Sequence, residues 1–390
     1  MRMGKANVTL NLLLAGMAAA YMPAQAAGQS IFQVFPTPNE NSNNGLFAIS
    51  ASSPSDIWAV GEAAIHFDGA TWTAFPVPDI KGDNIGTLQG VADISPTQAW
   101  AVGNVGISPR QEIWNWNGTA WSLFPSPPFT APGDEALLFA ITAISANDIW
   151  TVGSLVTDGL GNFLFEHWDG TAWTPITIAN NSAFLVGASS DATNDVWAVG
   201  YTGALGSDSA TLVYHYDGTN WQRVPSPRVG VSDELYAVAA LAPNNVWAVG
   251  TSIAALHDPT LTLIEHYDGS TWSVVPSPNV GPGSPNQSNR LFGITAVSAT
   301  DIWAFGSYFA ADGSGFQATL LLHWDGTNWT IATSPDPKPG DFLSDVLFAG
   351  VVTAPGSVWI VGSEDPATTG KPITATLALH STTAEPAGPQ

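Results

Sequence analysis

The 390-residue sequence predicts an all-β fold of seven similar units, and three observations carry this prediction. Tryptophan recurs seven times in a frame like Asp-Ile-Trp-Ala-Val-Gly, with glycine three residues later and leucine twelve residues earlier. Glycine, proline and tryptophan are frequent, at 38, 29 and 17 residues, and beyond the first 25 residues no segment repeats apolar residues at helical spacing. Units of 42 to 56 residues built from short strands are typical of a β-propeller. We therefore expect a seven-bladed β-propeller of four-stranded antiparallel blades.

The first 26 residues predict a signal peptide. Arg2 and Lys5 precede an apolar run from Val8 to Met22, and Ala24-Gln25-Ala26 has the small-x-small cleavage pattern. The alternative, a retained membrane anchor, requires a longer apolar run. The expected organisation is a signal peptide at 1–26, the propeller at 27–380 and a disordered C-terminal tail at 381–390. Export then places the mature protein in the periplasm, outside the cell or at its surface.

Each repeat divides into four strands. The first begins at the leucine and is rich in Ala, Gly and Ser, which suits the strand nearest the axis. The second holds the tryptophan, the third ends in a His-aromatic pair, and the fourth begins at the tryptophan of Asp-Gly-x-x-Trp. The last repeat stops at His380 without a fourth strand, but residues 32–39, FQVFPTPN, match WSVVPSPN at 272–279. The N-terminal strand is therefore predicted to complete the last blade and close the ring.

The His-aromatic-Asp-Gly motif has two readings, a ligand site or a turn. Asp-Gly is a preferred centre of a two-residue hairpin in which both residues have positive φ. In the second repeat Asn115 and Asn117 replace the histidine and the aspartate, a change that a turn tolerates and a metal site does not. Equivalent positions on radiating blades also cannot converge on one ion. The motif is therefore interpreted as turn and packing, and sixteen of the 17 tryptophans as rings packed between blades.

Two connections per blade vary in length, and in an antiparallel blade both emerge on the same face, called here the variable-loop face. Binding surfaces are commonly built from variable loops on a rigid scaffold. Asp233, Asn289 and Asp345 each lie two residues before the first-strand leucine, so they are predicted to ring the channel mouth together with Asn44. Carboxylate and carbonyl oxygens suit calcium, and Asp233 and Asp345 are the candidate metal ligands. The alternative is a solvated acidic surface.

The remaining candidate ligand contacts are Arg290, Arg110, Trp114 and His257. Trp114 is the one tryptophan outside the repeat frame, interpreted as a surface ring or a recognition aromatic, and His257 is the one histidine outside it. The chain has no cysteine, which excludes disulfides and thiol nucleophiles, and it shows no P-loop, G-x-S-x-G or H-E-x-x-H motif. Nine Lys and Arg against 32 Asp and Glu disfavour nucleic acids and anionic membranes as partners.

The blade frame, over residues 31–380, resembles exported bacterial β-propellers related in style to kelch and Asp-box repeat proteins. It departs from the Asp-box pattern, S-x-D-x-G-x-x-W, and lacks the double glycine of kelch repeats. The resemblance implies the fold and no particular activity.

The function expected from the sequence is that of an exported, monomeric binding or interaction module. It presents variable acidic loops to a glycan or a cell-surface protein, requires no cofactor and allows calcium. Two alternatives stay open: a hydrolase or lyase with its active site at the channel mouth, and a purely structural surface protein. Convergence of polar residues at the mouth, with shifted pKa values, would discriminate between them.

Overall fold

The computed structural model describes twelve segments of the chain. They are residues 31–39, 44–77, 86–105, 110–125, 134–157, 160–180, 183–203, 208–281, 288–309, 316–335, 344–365 and 374–381. These segments form 28 strands in seven four-stranded antiparallel sheets, and none of the residues within them is helical. The predicted all-β, seven-bladed propeller is confirmed.

Blades 1 to 4 each take four consecutive strands, in the order first to fourth from one edge of the sheet to the other. Blade 1 consists of β2 (Leu46–Ser53), β3 (Asp56–Gly61), β4 (Ala64–Phe67) and β5 (Trp72–Ala74). Blade 2 consists of β6 (Thr87–Ser95), β7 (Gln98–Val105), β8 (Arg110–Trp116) and β9 (Trp121–Phe124). Blade 3 consists of β10 (Glu135–Ser145), β11 (Asp148–Thr157), β12 (Leu160–Trp168) and β13 (Trp173–Ala179). Blade 4 consists of β14 (Ala183–Ala192), β15 (Asp195–Thr202), β16 (Ala210–Tyr216) and β17 (Trp221–Arg223).

Blades 5 and 6 follow the same order, and blade 7 takes its fourth strand from the N-terminal end of the described chain. Blade 5 consists of β18 (Ser232–Ala242), β19 (Asn245–Ile253), β20 (Leu261–Tyr267) and β21 (Trp272–Val274). Blade 6 consists of β22 (Asn289–Ser298), β23 (Asp301–Phe309), β24 (Gln317–Trp324) and β25 (Trp329–Ala332). Blade 7 consists of β26 (Asp345–Ala354), β27 (Ser357–Glu364), β28 (Ala375–Ser381) and β1 (Phe32–Val34).

Aromatic rings hold neighbouring blades together. The second-strand tryptophan of each blade meets the fourth-strand ring of the next blade edge-on, as Trp58 meets Trp121 at a centroid distance of 4.9 Å. Trp303 of blade 6 meets Phe32 of blade 7 at 5.0 Å, and Trp359 of blade 7 meets Trp72 of blade 1 at 5.4 Å. The chain of contacts therefore runs around the whole ring. Edge-to-face pairs add stability beyond the area that they bury.

The N-terminal strand closes the ring as predicted. Phe32, only 2% exposed, lies opposite Ser381, and the Asn39 side-chain oxygen accepts a hydrogen bond from the Thr376 backbone at 2.9 Å. Asn279 accepts the same bond from Thr262 in blade 5, also at 2.9 Å. Because Ser381 belongs to β28, the propeller extends one residue beyond the predicted boundary at 380. The predicted signal peptide and the rest of the tail lie outside the described residues.

A bulge recurs in the first strand of every blade. The pairing skips the residue after the leucine, as between Leu235 and Ala237, and the leucine itself lies opposite the glycine of the second strand. A Cβ on Gly250 would overlap the backbone carbonyl of Glu234, so only glycine fits there. The bulge frees the skipped residue from the sheet pairing, and this residue lines the channel.

Candidate functional site

The His-aromatic-Asp-Gly motif is a turn with packing, as interpreted from the sequence, but the turn differs from the one predicted. Tyr267 pairs with Trp272, so the loop has four residues instead of two. Gly269 has a φ of 95°, whereas Asp268 is not among the described residues with positive φ. The Asp268 carboxylate instead accepts hydrogen bonds from the backbones of Ser270 and Thr271, at 2.8 and 2.9 Å. Side-chain capping thus replaces the second left-handed residue.

The histidine of the motif binds back to its own blade. His66 Nε2 lies 2.7 Å from Asp56 Oδ1, and His215 Nε2 lies 2.6 Å from Asp195 Oδ1. The imidazole also packs on the second-strand tryptophan, with centroids 4.3 Å apart for His167 and Trp150. These histidines join the third strand to the second and are held within single blades, so they do not converge on a shared ligand.

Polar side chains predicted to ring the mouth form hydrogen bonds within the protein. Asp233 is fully buried, and its carboxylate accepts hydrogen bonds from the backbones of Val229 and Gly230 and from the Ser252 hydroxyl, the last at 2.6 Å. Asn289 is 1% exposed and forms two hydrogen bonds with the Val280 backbone. These side chains satisfy backbone groups of the connection that enters the blade, a need that the spacing pattern does not reveal.

Asn44 and Asp345 complete that set. The Asn44 amide donates to the Thr374 carbonyl at 3.1 Å. Because Thr374 directly precedes β28, this hydrogen bond connects blade 1 to blade 7. Asp345 is partly buried at the start of β26, opposite Glu364. Within the described segments no group of three or more His, Asp and Glu side chains could hold a metal ion. Calcium binding by Asp233 and Asp345 stays a prediction.

Three other candidates lie in different surroundings. Trp114 is 2% exposed and packs between blades 1 and 2, with its Nε1 donating to Glu112 at 2.9 Å. The interpretation of Trp114 as a surface ring is therefore wrong, because its third-strand position faces the preceding blade. His257 is exposed, with a left-handed φ of 73°. Arg110 begins β8, and its side chain lies outside the described part of the structure.

A band of aromatic rings lines the channel near the variable-loop face, and sequence reasoning missed it. The bulged residue after the leucine is aromatic in five of seven blades, and two further rings join them in blade 4. We call this set the aromatic collar. It comprises Phe47, Phe139, Phe184, Tyr201, Tyr236, Phe292 and Phe348. The signal was present in the sequence as an aromatic residue directly after the repeat leucine.

Contacts between neighbouring rings make the collar continuous from blade 3 through blade 7 to blade 1. The centroid distances are 6.5 Å for Phe139–Phe184, 5.8 Å for Phe184–Tyr201, 6.0 Å for Tyr201–Tyr236, 5.6 Å for Tyr236–Phe292, 5.5 Å for Phe292–Phe348 and 5.3 Å for Phe348–Phe47. Blade 2 interrupts the band with Gln89. Every ring of the collar is partly exposed, so the channel offers an apolar wall to a ligand that enters from this face.

Charged groups meet the collar at blades 5 and 6. Glu234 and Arg290 occupy the residue before the leucine in neighbouring blades, and the Tyr236 hydroxyl donates to Glu234 at 2.6 Å. Burial raises the pKa of Glu234, while hydrogen bonds from Tyr236 and Ser209 and the charge of Arg290 oppose that shift. Burial and the Glu234 hydrogen bond raise the pKa of Tyr236. The two groups with raised pKa values, Glu234 and Tyr236, thus lie two residues apart on the first strand of blade 5.

The opposite end of the channel has fewer side chains that could recognise a particular ligand. A cavity of about 550 Å³ lies there beside blades 4 to 6, lined by aliphatic residues together with Ser189, Asn245, Thr295 and Ser298. No charged residue lines it. The mouth is the better candidate for a binding site, because it combines the exposed aromatic rings of the collar with the charged residues Glu234 and Arg290.

Two solved structures share this fold. YCF48 from Cyanidioschyzon merolae superposes with a TM-score of 0.55 at 15% sequence identity, covering 90% of this chain and 98% of that chain. A polysaccharide lyase, the PL25 ulvan lyase bound to -[GlcA(1-4)Rha3S]-, superposes with a TM-score of 0.53 at 9% identity, covering 86% of this chain and 93% of its own. At these identities the likeness shows the fold alone.

The sequence itself matches no protein-family model and no curated protein. In the segments that the structure describes, no helix is long and apolar enough to cross a membrane. The chain is therefore similar to other propellers in its architecture, and its function must be argued from its own channel mouth.

Proposed function

We propose that the protein is an exported binding module that holds a carbohydrate at the channel mouth on its variable-loop face. The observation that carries this proposal is the aromatic collar, a continuous set of partly exposed rings contributed by neighbouring blades. The C–H faces of sugar rings pack on aromatic rings, while sugar hydroxyls bond to polar groups such as Glu234 and Arg290 at the edge of the collar. A set of exposed rings with polar groups beside it suits the alternating apolar faces and hydroxyls of a glycan.

Export rests on the predicted signal peptide and on the resemblance to exported propellers of the kelch and Asp-box style. The ulvan lyase is a propeller of the same fold whose structure was determined with a bound saccharide. That likeness makes a glycan ligand compatible with the architecture, and the collar supplies the reason to expect one here. A cell-surface protein as partner, and a hydrolase or lyase at the same mouth, are the competing outcomes.

Glycan-array binding by the protein and by Phe292→Ala and Phe348→Ala variants tests the proposal. We expect selective binding that falls about tenfold or more in both variants, because each removes a wall of the collar. Leu123→Ala, on the outer edge of blade 2 where Leu123 is 48% exposed, is the matched control and should bind normally.

Three results would overturn the proposal. They are the absence of binding to any glycan, unchanged binding by both collar variants, and release of new reducing or unsaturated ends from the bound glycan. The last result would establish the enzymatic alternative.

A further inference from the structure

The outer strand of blade 3 is longer than the outer strands of the other blades. β13 has seven residues, Trp173–Ala179, whereas the fourth strands of the other six blades have three or four. It forms the edge of its sheet and pairs with β12 alone among the described strands. Residues 174–177 and Ala179 are exposed. Blade 3 therefore presents the longest open strand edge of the described ring.

A proline accounts for the short outer strands elsewhere. In five blades it stands four residues after the ring that begins the fourth strand, at Pro36, Pro76, Pro125, Pro225 and Pro276. Proline has no N–H, so it ends a strand or protects an edge strand from further pairing. In blade 6 Thr333 takes this position, but β25 ends before it at Ala332. In blade 3 Thr177 takes the position and lies within the strand.

The backbone of Thr177 faces away from its own sheet. In an antiparallel pair, successive residues alternate between bonding to the neighbouring strand and facing outward. Just after β13, the Asn180 N–H donates to the Gly161 carbonyl at 3.0 Å, so residue 180 bonds towards β12. By alternation Ala179 and Thr177 direct their N–H and C=O groups outward, and Pro175 directs its carbonyl outward. The edge therefore offers donors at two positions and acceptors at three.

A second copy of the chain fits this edge because the outward groups are complementary to themselves. When two antiparallel β13 strands are related by a two-fold axis at Thr177, each Thr177 N–H meets the Thr177 carbonyl of the other copy. Each Ala179 N–H then meets the Pro175 carbonyl of the other copy, so the outward donors of both copies find acceptors. β13 contains no charged residue, so this pairing brings no like charges together along the strands, although the chain has a formal net charge of −23.

We propose that two copies of the protein associate through β13 and join their third blades into one continuous antiparallel sheet. This inference is independent of carbohydrate binding, and it replaces the monomer expected from the sequence. Because a few paired residues bury less area than a stable interface requires, the dimer should be weak and should form reversibly at high protein concentration.

Sedimentation velocity on the native protein, from about 1 µM to about 1 mM, tests the proposal. We expect a shift from monomer to dimer within this range. Hydrogen exchange locates the interface. Exchange at the Thr177 and Ala179 amides should slow as the concentration rises, because pairing between copies protects these N–H groups.

Thr177→Pro gives blade 3 the proline that five other blades have. It removes an N–H that does not bond to β12, so the fold should persist while the dimer weakens about tenfold or more. Thr177→Val is the matched control, because it keeps the N–H and the β-branched shape and should dimerise like the native protein. If Thr177→Pro fails to fold, Thr177→Lys keeps the backbone donor but places like charges opposite each other at the two-fold axis, and it should also weaken the dimer.

Two results would overturn the proposal. A native protein that stays monomeric up to about 1 mM does not use the edge of β13 for a second copy. A dimer that forms equally well after the Thr177→Pro or Thr177→Lys change is held by another surface. Neither result affects the proposed carbohydrate binding, which the collar variants test separately.

Discussion

One residue in each first strand decides what lines the channel. It follows the repeat leucine, where the bulge takes it out of the strand pairing, and its ring contacts a ring of the neighbouring blade, as for Tyr236 and Phe292. The glycine opposite the leucine makes the bulge possible, because any Cβ there would meet a backbone carbonyl. The repeat spacing therefore builds the frame of the mouth, while the bulged residues give the mouth its chemistry.

The hairpin motif provides a prediction at the residue scale. Asp268→Asn should leave the melting temperature unchanged, because Asn117 already accepts the equivalent hydrogen bonds from Thr119 and Ala120 at 3.0 Å. Gly269→Val should cost about 1 kcal/mol or more, since φ is 95° and an added Cβ would lie 2.7 Å from Asn244.

Thermal melts with Asp268→Ala as control check this prediction. The alanine variant loses the acceptor and should melt below the asparagine variant. A glycan-binding defect in Asp268→Asn with an unchanged melting temperature would instead assign the motif to ligand binding.

At the scale of the element, the three-residue strand β1 completes blade 7 and closes the ring. It covers β28, whose outer edge would otherwise be free to pair with other chains. It also supplies Phe32, the ring that stands where the other blades have tryptophan. Removing residues 27–40 should therefore produce aggregation or a large fall in melting temperature.

Phe32→Ala tests the same point without removing the strand. Loss of a buried phenylalanine ring should cost about 3 to 5 kcal/mol, measured by denaturant unfolding. Ile31→Ala, at a side chain that is 49% exposed, is the neighbouring control and should be nearly neutral. Equal effects of the two variants would show that β1 does not hold the ring closed.

At the scale of the whole molecule, buried carboxyls between blades couple stability to pH. Glu265 is fully buried, and neither of its carboxyl oxygens has a partner among the described residues. Burial and then the charge of Asp233 raise its pKa to about 8. Glu166, at the same position in blade 3, has its pKa raised by burial to about 7, against a hydrogen bond from Gln111. Both residues face the preceding blade.

Because the folded pKa of Glu265 exceeds the unfolded value of 4.5, its contribution to stability is full below pH 4.5 and is lost as pH rises through about 8. Glu265→Gln removes this titration. The free energy of unfolding of the variant, relative to the native protein, should therefore rise by on the order of 2 kcal/mol between pH 5 and pH 8.5.

Glu135→Gln, at an exposed position in blade 3, is the control and should show no such difference. Parallel pH dependence of the native protein and Glu265→Gln would show that Glu265 does not carry the coupling.

The sequence by itself determined the number of blades, the four strands of each and the closure of the ring by residues 32–39. These features depend on spacing along the chain. The twelve residues from leucine to tryptophan define the hairpin of the first two strands, and the repeat of this unit places each tryptophan against the same ring position of the next blade. The matched residues Asn39 and Asn279 also accept equivalent hydrogen bonds in the structure, from the backbones of Thr376 and Thr262.

Only the tertiary structure decided what each polar residue at the mouth does. Asp233 and Glu234 are neighbours in sequence, yet the first accepts hydrogen bonds from Val229, Gly230 and Ser252, while the second accepts the hydroxyl of Tyr236 beside the collar. The charge of Arg290 acts on Glu234 because the first strands of adjacent blades lie side by side around the axis. Burial, side-chain direction and partners across blades arise from this arrangement, and no spacing along the chain encodes them.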